Sequence, residues 1–254
     1  MMNRGNSPIA VVLAAGKGTR MKSDLPKVLC EANSRPLVEY VLKTLKNAGV
    51  ERIIVVVGYR SDLVRERLSH WPGIEFAEQT EQLGTGHAVA VCKELLHDHD
   101  GPIIVVAGDS PMLQVASIRS LLDNFNAEPA GAVMGTLIHD NPIGLGRIVR
   151  DTSGNFEAIV EEKDATDEQR LIREVNMSTY VFDCRQLLNA LNELRNDNRQ
   201  NEYYITDVPG IMLRHGSSVR ALPVLQQLEA LSVNTVDELK EVERALNRGQ
   251  AANA

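Results

Sequence analysis

The chain has 254 residues, 43% of them hydrophobic and 24% charged, with a formal net charge of −7. That length buries one sizeable core, or a core with a smaller lobe, and the composition excludes a disordered body. The acidic balance excludes a general nucleic-acid surface, and three scattered cysteines without Cys-x-x-Cys spacing exclude a disulfide framework or zinc site. No apolar run approaches the ~18 residues of a membrane span and no signal h-region precedes the first strand, so a cytoplasmic protein with no membrane partner is expected.

The first strand is expected at 9–15, an apolar run that stops at a glycine turn. Pro36 opens a helix that ends at Gly49, with Leu37, Val41, Leu42 and Leu45 as its apolar stripe. A buried strand follows at 53–57, a helix at 62–68, a short strand at 74–77 and a helix over about 86–96. The next strand, 103–107, breaks at Gly108-Asp109-Ser110-Pro111. This alternation predicts an α/β fold, a Rossmann-like mixed, mostly parallel sheet flanked by helices. From Ala130 the pattern changes to shorter β segments at 132–138, 146–150, 156–160 and 175–182, which suggests a small β-rich lobe over 130–204. A helix at 206–215, a strand at 219–224 and a charged helix at 235–247 return to the core. The chain thus reads as a single domain, with a core of about 8–129 and 205–247 and a frayed tail at 248–254.

After the first strand, Gly16 and Gly18 let the backbone approach an anion closely, while Thr19, Arg20 and Lys27 can bond or neutralise phosphate oxygens. A dinucleotide fingerprint would need glycine or alanine where Met21 stands, and a Walker loop would need Ser or Thr where Gly18 follows Lys17. Positions 17–27 hold four cations against one anion, a focus of positive charge in an acidic chain. Open α/β sheets bind ligands outside the carboxyl ends of their strands, so the loops after 15, 77 and 107 are expected to share one rim.

The stretch Leu13-Ala14-Ala15-Gly16-x-Gly18-Thr19-Arg20-Met21, with Leu25-Pro26-Lys27-Val28-Leu29, resembles the signature of sugar-1-phosphate nucleotidyltransferases. Gln79-x-x-Gln82-Leu83-Gly84-Thr85-Gly86-His87-Ala88 resembles the uracil-reading loop in the uridylyltransferase domain of the GlmU family. That family makes UDP-N-acetylglucosamine and pyrophosphate from UTP and N-acetylglucosamine-1-phosphate. The resemblance spans about 9–246. It implies a nucleotide-diphospho-sugar transferase fold, UDP-N-acetylglucosamine diphosphorylase activity and a place in cell wall precursor biosynthesis.

Attack on the α-phosphorus of UTP brings two polyanions together, so charge neutralisation and in-line positioning should carry the catalysis. Arg20 is the first candidate to stabilise the triphosphate and transition state, because its planar fork holds two oxygens. Lys27, set by Pro26, is the second. Leu13, Ala14, Ala15, Gly16, Gly18 and Thr19 are expected to bind the nucleotide. Gln79, Gly84 and Thr85 are expected at its base, where a glutamine amide can offer uracil both a donor and an acceptor. His87 reads as a helix-start residue packed against this loop, since an ionised sugar phosphate needs no general base.

Asp109 emerges where an apolar strand ends and is well placed to hold Mg²⁺, which prefers hard oxygen ligands; the lesser alternative, read bare, is a turn residue or helix cap. The resemblance supplies Asn234 as its partner at the metal. It also implies that Gly146, Glu161, Asn176 and Thr206 bind the sugar, which makes 130–204 a sugar-binding lobe; Glu161 can accept from sugar hydroxyls.

Three positions depart from the family pattern. Leu145 replaces a tyrosine, Met177-Ser178 replaces Thr-Gly after the asparagine, and Asp109 is followed by Ser-Pro-Met. The first two leave open a nucleotidyltransferase for another hexose-1-phosphate. A non-catalytic sugar-nucleotide sensor is the alternative of another class, opposed by the intact set Arg20, Lys27, Asp109 and Asn234. Bifunctional GlmU proteins continue into a β-helix of hexapeptide repeats that acetylates glucosamine-1-phosphate. The sequence contains no such repeat, so no acetyltransferase activity is expected of it.

Overall fold

The computed structural model describes residues 7–18, 21 and 24–251. Strand β1 (Ile9–Leu13) leads to a short hairpin, β2 (Glu31–Ala32) and β3 (Arg35–Pro36), and then to α1 (Leu37–Asn47). Next come β4 (Arg52–Val57), α2 (Ser61–Leu68), β5 (Ile74–Glu78), α3 (Thr85–Ala90), α4 (Lys93–Leu96), β6 (Pro102–Ala107) and α5 (Val115–Ala127). The second half contributes β7 (Ala132–Ile138), β8 (Gly146–Arg150), β9 (Phe156–Val160), α6 (Asp167–Arg170) and β10 (Glu174–Asp183). It ends with α7 (Cys184–Leu191), α8 (Val208–Arg214), β11 (Val219–Leu222) and α9 (Val236–Ala251).

The main sheet runs β11-β7-β10-β6-β1-β4-β5, with β8 joined to β10 and β9 to β8. Strands β6, β1, β4 and β5 are mutually parallel, whereas β10 is antiparallel to both β6 and β7. The expected mixed, mostly parallel α/β sheet is the fold observed.

Alternation along the strands explains why both faces are dry. Ile9 and Val11 of β1 share a core with Ile54, Val56, Ile103 and Val105. Ala10 and Val12 point the other way, to Ile53, Val55, Ile104 and Val106. Strands covered by helices on both faces need such continuous apolar runs. In register, Leu13 pairs with Val56 of β4 and Ala107 of β6, so the three strands end together and their loops open on one rim.

Several local expectations are corrected. The helix expected over 86–96 is two helices, because Cys92 N–H bonds the Val89 carbonyl three residues back and tightens the backbone between them. Segments 132–138 and 175–182 are strands as expected, but they lie within the main sheet as β7 and β10. The β8–β9 pair branches from this sheet at β10, through Val175↔Arg147 and Asn176↔Gly146. Helices α5 and α7 are additional. Cys30, Cys92 and Cys184 are buried and none forms a disulfide; burial pushes the Cys92 thiol up to about 12 and the Cys184 thiol to about 11. Among the described residues no helix is long and apolar enough to cross a membrane.

Candidate active site

The turn after β1 is tightly determined. Ala14 N–H bonds the Val56 carbonyl at 2.9 Å, and Met21 N–H returns to the Gly18 carbonyl at 2.9 Å. Gly18 has φ +66°, and a Cβ there would lie 2.5 Å from Lys27 Cβ. Only glycine therefore fits where the loop crosses the Lys27 side chain. Pro26, in an extended conformation, precedes a one-turn 3₁₀ helix, Lys27–Leu29, whose Val28 and Leu29 are buried. Those anchors fix the base of the Lys27 side chain.

A cavity of about 420 Å³ opens at this rim. The turn after β1 lines it with Leu13, Ala14, Ala15, Gly16 and Gly18, beside Lys27. The loop after β5 contributes Gln79, Gly84 and Thr85, and the loop after β6 contributes Asp109. Ten expected site residues thus surround one space. Thr19 and Arg20 lie outside the described residues.

Lys27 binds both residues expected at the metal. Its Nζ donates to Asn234 Oδ1 at 2.7 Å and makes an ion pair with Asp109 Oδ2. Both partners of the pair are mostly shielded, at 16% and 20% exposure. Asn234 is set by the start of α9, where Glu238 accepts from the N–H groups of Asn234 (2.6 Å) and Thr235 (2.9 Å) and its own N–H donates to the Thr235 hydroxyl. Such a reciprocal box fixes how the chain enters a helix.

At the other end of the cavity, Gln79 is 3% exposed. Its amide nitrogen donates to the Gly84 carbonyl at 3.0 Å and lies 3.1 Å from His87 Nδ1. The nitrogen's two hydrogens are therefore used inside the protein. The expectation that this amide offers the base both a donor and an acceptor is corrected: Oε1, the acceptor, is what it retains. Gly84 takes φ +109°, and a Cβ there would meet the Tyr203 carbonyl at 2.6 Å. The loop is clamped to that segment by Gly86 N–H to Tyr203 O (2.7 Å), Tyr203 N–H to Leu83 O (2.8 Å) and Ile205 N–H to Thr85 Oγ1 (3.1 Å).

Gly146, Glu161, Asn176 and Thr206 form a second group. Gly146 pairs with Asn176 across β8 and β10, and a Cβ on Gly146 would stand 3.6 Å from Glu161 Oε2. The Thr206 hydroxyl donates to Glu161 Oε1 at 3.0 Å. Burial raises the Glu161 carboxyl above the usual range; the Thr206 bond offsets part of this, and the like charges of Asp207, Asp164 and Glu202 add to it. Asn176 donates to the Tyr180 hydroxyl at 2.7 Å and accepts from Ser178 N–H at 3.2 Å, bracing a bulge in β10. None of the four lines the 420 Å³ cavity: Glu161 borders a cleft of about 340 Å³, and Thr206 one of about 940 Å³ beside α7 and α8.

Residues 10–205 match the family model of the MobA-like NTP transferase domain. The chain belongs to the MobA-like NTP transferases. It is 43% identical over 239 residues to the bifunctional protein GlmU of Lactococcus lactis subsp. lactis (strain IL1403), covering 94% of this chain and 52% of the relative. It is also 43% identical over 237 residues to the bifunctional protein GlmU of Geobacillus sp. (strain WCH70), with 93% and 51% covered. The chain spans about half the length of these curated relatives. Its fold matches the solved structure of a UDP-glucose pyrophosphorylase complexed with UDP-glucose. The TM-score is 0.78 at 16% identity, over 96% of this chain and 99% of that one. The likeness shows a nucleotide-diphospho-sugar transferase fold.

In this MobA-like NTP transferase, four further residues belong to the site or its frame. Gln82, Ser178 and Glu202 line the cavity. Arg147, 1% exposed, reaches the Leu145 carbonyl and Glu162 Oε2 (2.6 Å), and Glu162 also accepts from Gly144 N–H at 3.2 Å. The guanidinium thereby holds the loop ahead of Gly146. Gln82 stood inside the recognised motif at 79–88, so its position was visible. Ser178 was visible only as a departure; its φ of +50° explains why glycine suits that place.

Proposed function

We propose that this chain is a uridylyltransferase that makes UDP-N-acetylglucosamine and pyrophosphate from UTP and N-acetylglucosamine-1-phosphate. A phosphate oxygen of the sugar attacks the α-phosphorus in line, the bond from that phosphorus to the bridging oxygen of the β-phosphate breaks, and pyrophosphate leaves. The observation that carries this reading is the meeting of Lys27, Asp109 and Asn234 beside a cavity whose far end holds Gln79. Half of the two relatives' length, including this segment, aligns at 43% identity.

In this reading the turn from Leu13 to Gly18 and Thr19 receives the triphosphate, and Arg20 and Lys27 neutralise the charge that builds up during transfer. The Gly84–Thr85 turn and Gln79 Oε1 address the uracil. Glu161 and Thr206 orient the sugar hydroxyls, beside the Gly146 backbone and Asn176.

Asp109 and Asn234 turn oxygens toward one cation, the Lys27 ammonium, and that donor set suits a hard divalent ion. They would hold Mg²⁺, a metal that commonly takes one or two protein oxygens together with substrate phosphates. When bound, Mg²⁺ would supply Lewis-acid stabilisation of phosphate charge.

The match to the two GlmU relatives favours N-acetylglucosamine-1-phosphate as acceptor. Leu145 and Met177, at the two departures, pack against the small hydrophobic cluster of Leu137, Val175 and Leu225. The enzyme works in the cytoplasm on diffusible substrates, without nucleic-acid or membrane partners. Pyrophosphate release from UTP with N-acetylglucosamine-1-phosphate and with glucose-1-phosphate tests the reading. Faster turnover of glucose-1-phosphate overturns the acceptor, while tight UDP-N-acetylglucosamine binding without pyrophosphate exchange in Mg²⁺ makes the protein a sensor.

A further inference from the structure

The Gln79 amide can adopt only one orientation in this pocket. A carbonyl oxygen accepts and never donates, so the 3.0 Å contact with Gly84 O must be made by the amide nitrogen. Turned over, Gln79 would set Oε1 against the Gly84 oxygen. The same nitrogen lies 3.1 Å from His87 Nδ1, and two donors cannot share that contact. His87 Nδ1 is therefore the acceptor, and the ring proton is on Nε2.

The surroundings hold both partners in place. Gln79 N–H bonds Val57 O at 2.8 Å, and the Gln79 carbonyl accepts from Gln82 Nε2 at 3.2 Å. The His87 ring lies against Tyr203, with centroids 6.5 Å apart, on a helix start that Gly86 N–H ties to Tyr203 O.

We propose that His87 is a positioning residue for base selection: by accepting from Gln79 Nε2 it leaves Oε1 as the group Gln79 presents to the nucleotide base. The inference rests on the uridylyl reading above. An acceptor facing the base matches the N3–H of uracil and opposes the lone pair at N3 of cytosine, so it attracts one pyrimidine and rejects the other. His87 acts through Gln79 and need not touch the substrate.

The test compares wild type with His87→Leu, which fills the space without an acceptor, and His87→Asn, whose Oδ1 can accept near the Nδ1 position. The ratio of kcat/KM for UTP over CTP is measured with one acceptor sugar phosphate, with kcat and KM resolved and folding checked by melting. The expected result is a wild type that prefers UTP and a His87→Leu variant whose ratio falls at least tenfold, through KM for UTP with kcat nearly unchanged. His87→Asn is expected to restore most of the preference. A folded His87→Leu variant with the wild-type ratio, or a folded His87→Asn variant as indiscriminate as leucine, overturns the inference and leaves the uridylyl reading standing. A wild type that uses CTP as well as UTP overturns that reading, and the inference with it. The ¹⁵N shifts of the His87 ring in the intact wild-type protein give a test independent of variants: a proton on Nδ1 overturns the assignment, and one on Nε2 supports it.

Discussion

Lys27 Nζ donates to Asn234 Oδ1 at 2.7 Å across 207 positions of sequence, and the same ammonium pairs with Asp109. A side-chain cation thus stands between the two oxygens proposed to hold the metal. Removing it should favour the metal. Lys27→Met is expected to bind Mg²⁺ about tenfold more tightly than wild type without nucleotide, a gain of ~1.4 kcal/mol, by titration calorimetry. Unchanged or weaker Mg²⁺ binding would show that lysine and metal do not compete.

Arg20 is the first candidate for the proposed transition-state stabilisation. Arg20→Ala is expected to lose ~2.7–4 kcal/mol in kcat, the range seen when one preorganised oxyanion donor is removed. A near-normal rate of pyrophosphate release in that variant refutes the role.

Gly18 is predicted to tolerate no side chain. Its φ of +66° costs an alanine ~1–2 kcal/mol, and the new Cβ would press on Lys27 Cβ at 2.5 Å. Gly18→Ala should therefore lower the urea midpoint and weaken UTP binding about tenfold, by displacing Lys27. Wild-type UTP affinity in a destabilised variant would separate the turn from the phosphate site.

Glu161 sets function against stability. Its folded-state carboxyl is raised above the unfolded value, chiefly by burial, so its contribution to folding is fully present below the unfolded pKa and is lost as pH rises through the folded one. Glu161→Gln does not titrate and can still accept from Thr206. The melting temperature of the variant relative to wild type should rise between pH 4 and pH 8, while acceptor kcat/KM falls tenfold or more, the ~1.5–3 kcal/mol of a hydrogen bond to a charged group. A pH-independent difference in melting temperature would contradict the assignment.

The β2–β3 hairpin offers a control among residues that do not line the cavity. Its two central residues, Asn33 and Ser34, have φ of +49° and +61°, the pattern that favours Asn-Gly. Ser34→Gly should raise stability by about 0.5–1 kcal/mol in urea titration, because relief of left-handed strain exceeds the added chain entropy. A loss of stability would mean that the serine makes a compensating contact.

The strands around β1 were legible because burial on both faces demands runs such as Ile53–Val57, and the glycine turn because its spacing fits few alternatives. Helix α5 was not legible. Its first turn is capped from afar: Glu229 accepts from Gln114 N–H at 2.9 Å and Ser117 Oγ at 2.7 Å, and no local residue announces it. Helix α7 did carry a local signal, Asp183 accepting from Gln186 N–H at 2.9 Å, which the strand pattern around it obscured. The place of β10 beside β6 depends on antiparallel pairing over more than 70 residues, beyond any window of periodicity. At the site, Asn234 was visible only through family resemblance, since its partners Lys27 and Asp109 are distant in sequence. His87 was read correctly as packed against the base loop. Its bond to Gln79 was not, because ring orientation has no sequence signature.

Strand β10 also determines how far apart the two groups of site residues stand. Thr179–Asp183 are laddered to β6, and Asn176 to Gly146 of β8, with a register shift against β7 between Asn176 and Tyr180. The proposed acceptor and nucleotide groups are therefore joined through one strand's main-chain pairing rather than tethered by a linker. β10 serves as a ruler: the spacing between the two proposed groups of site residues is built into the strand itself.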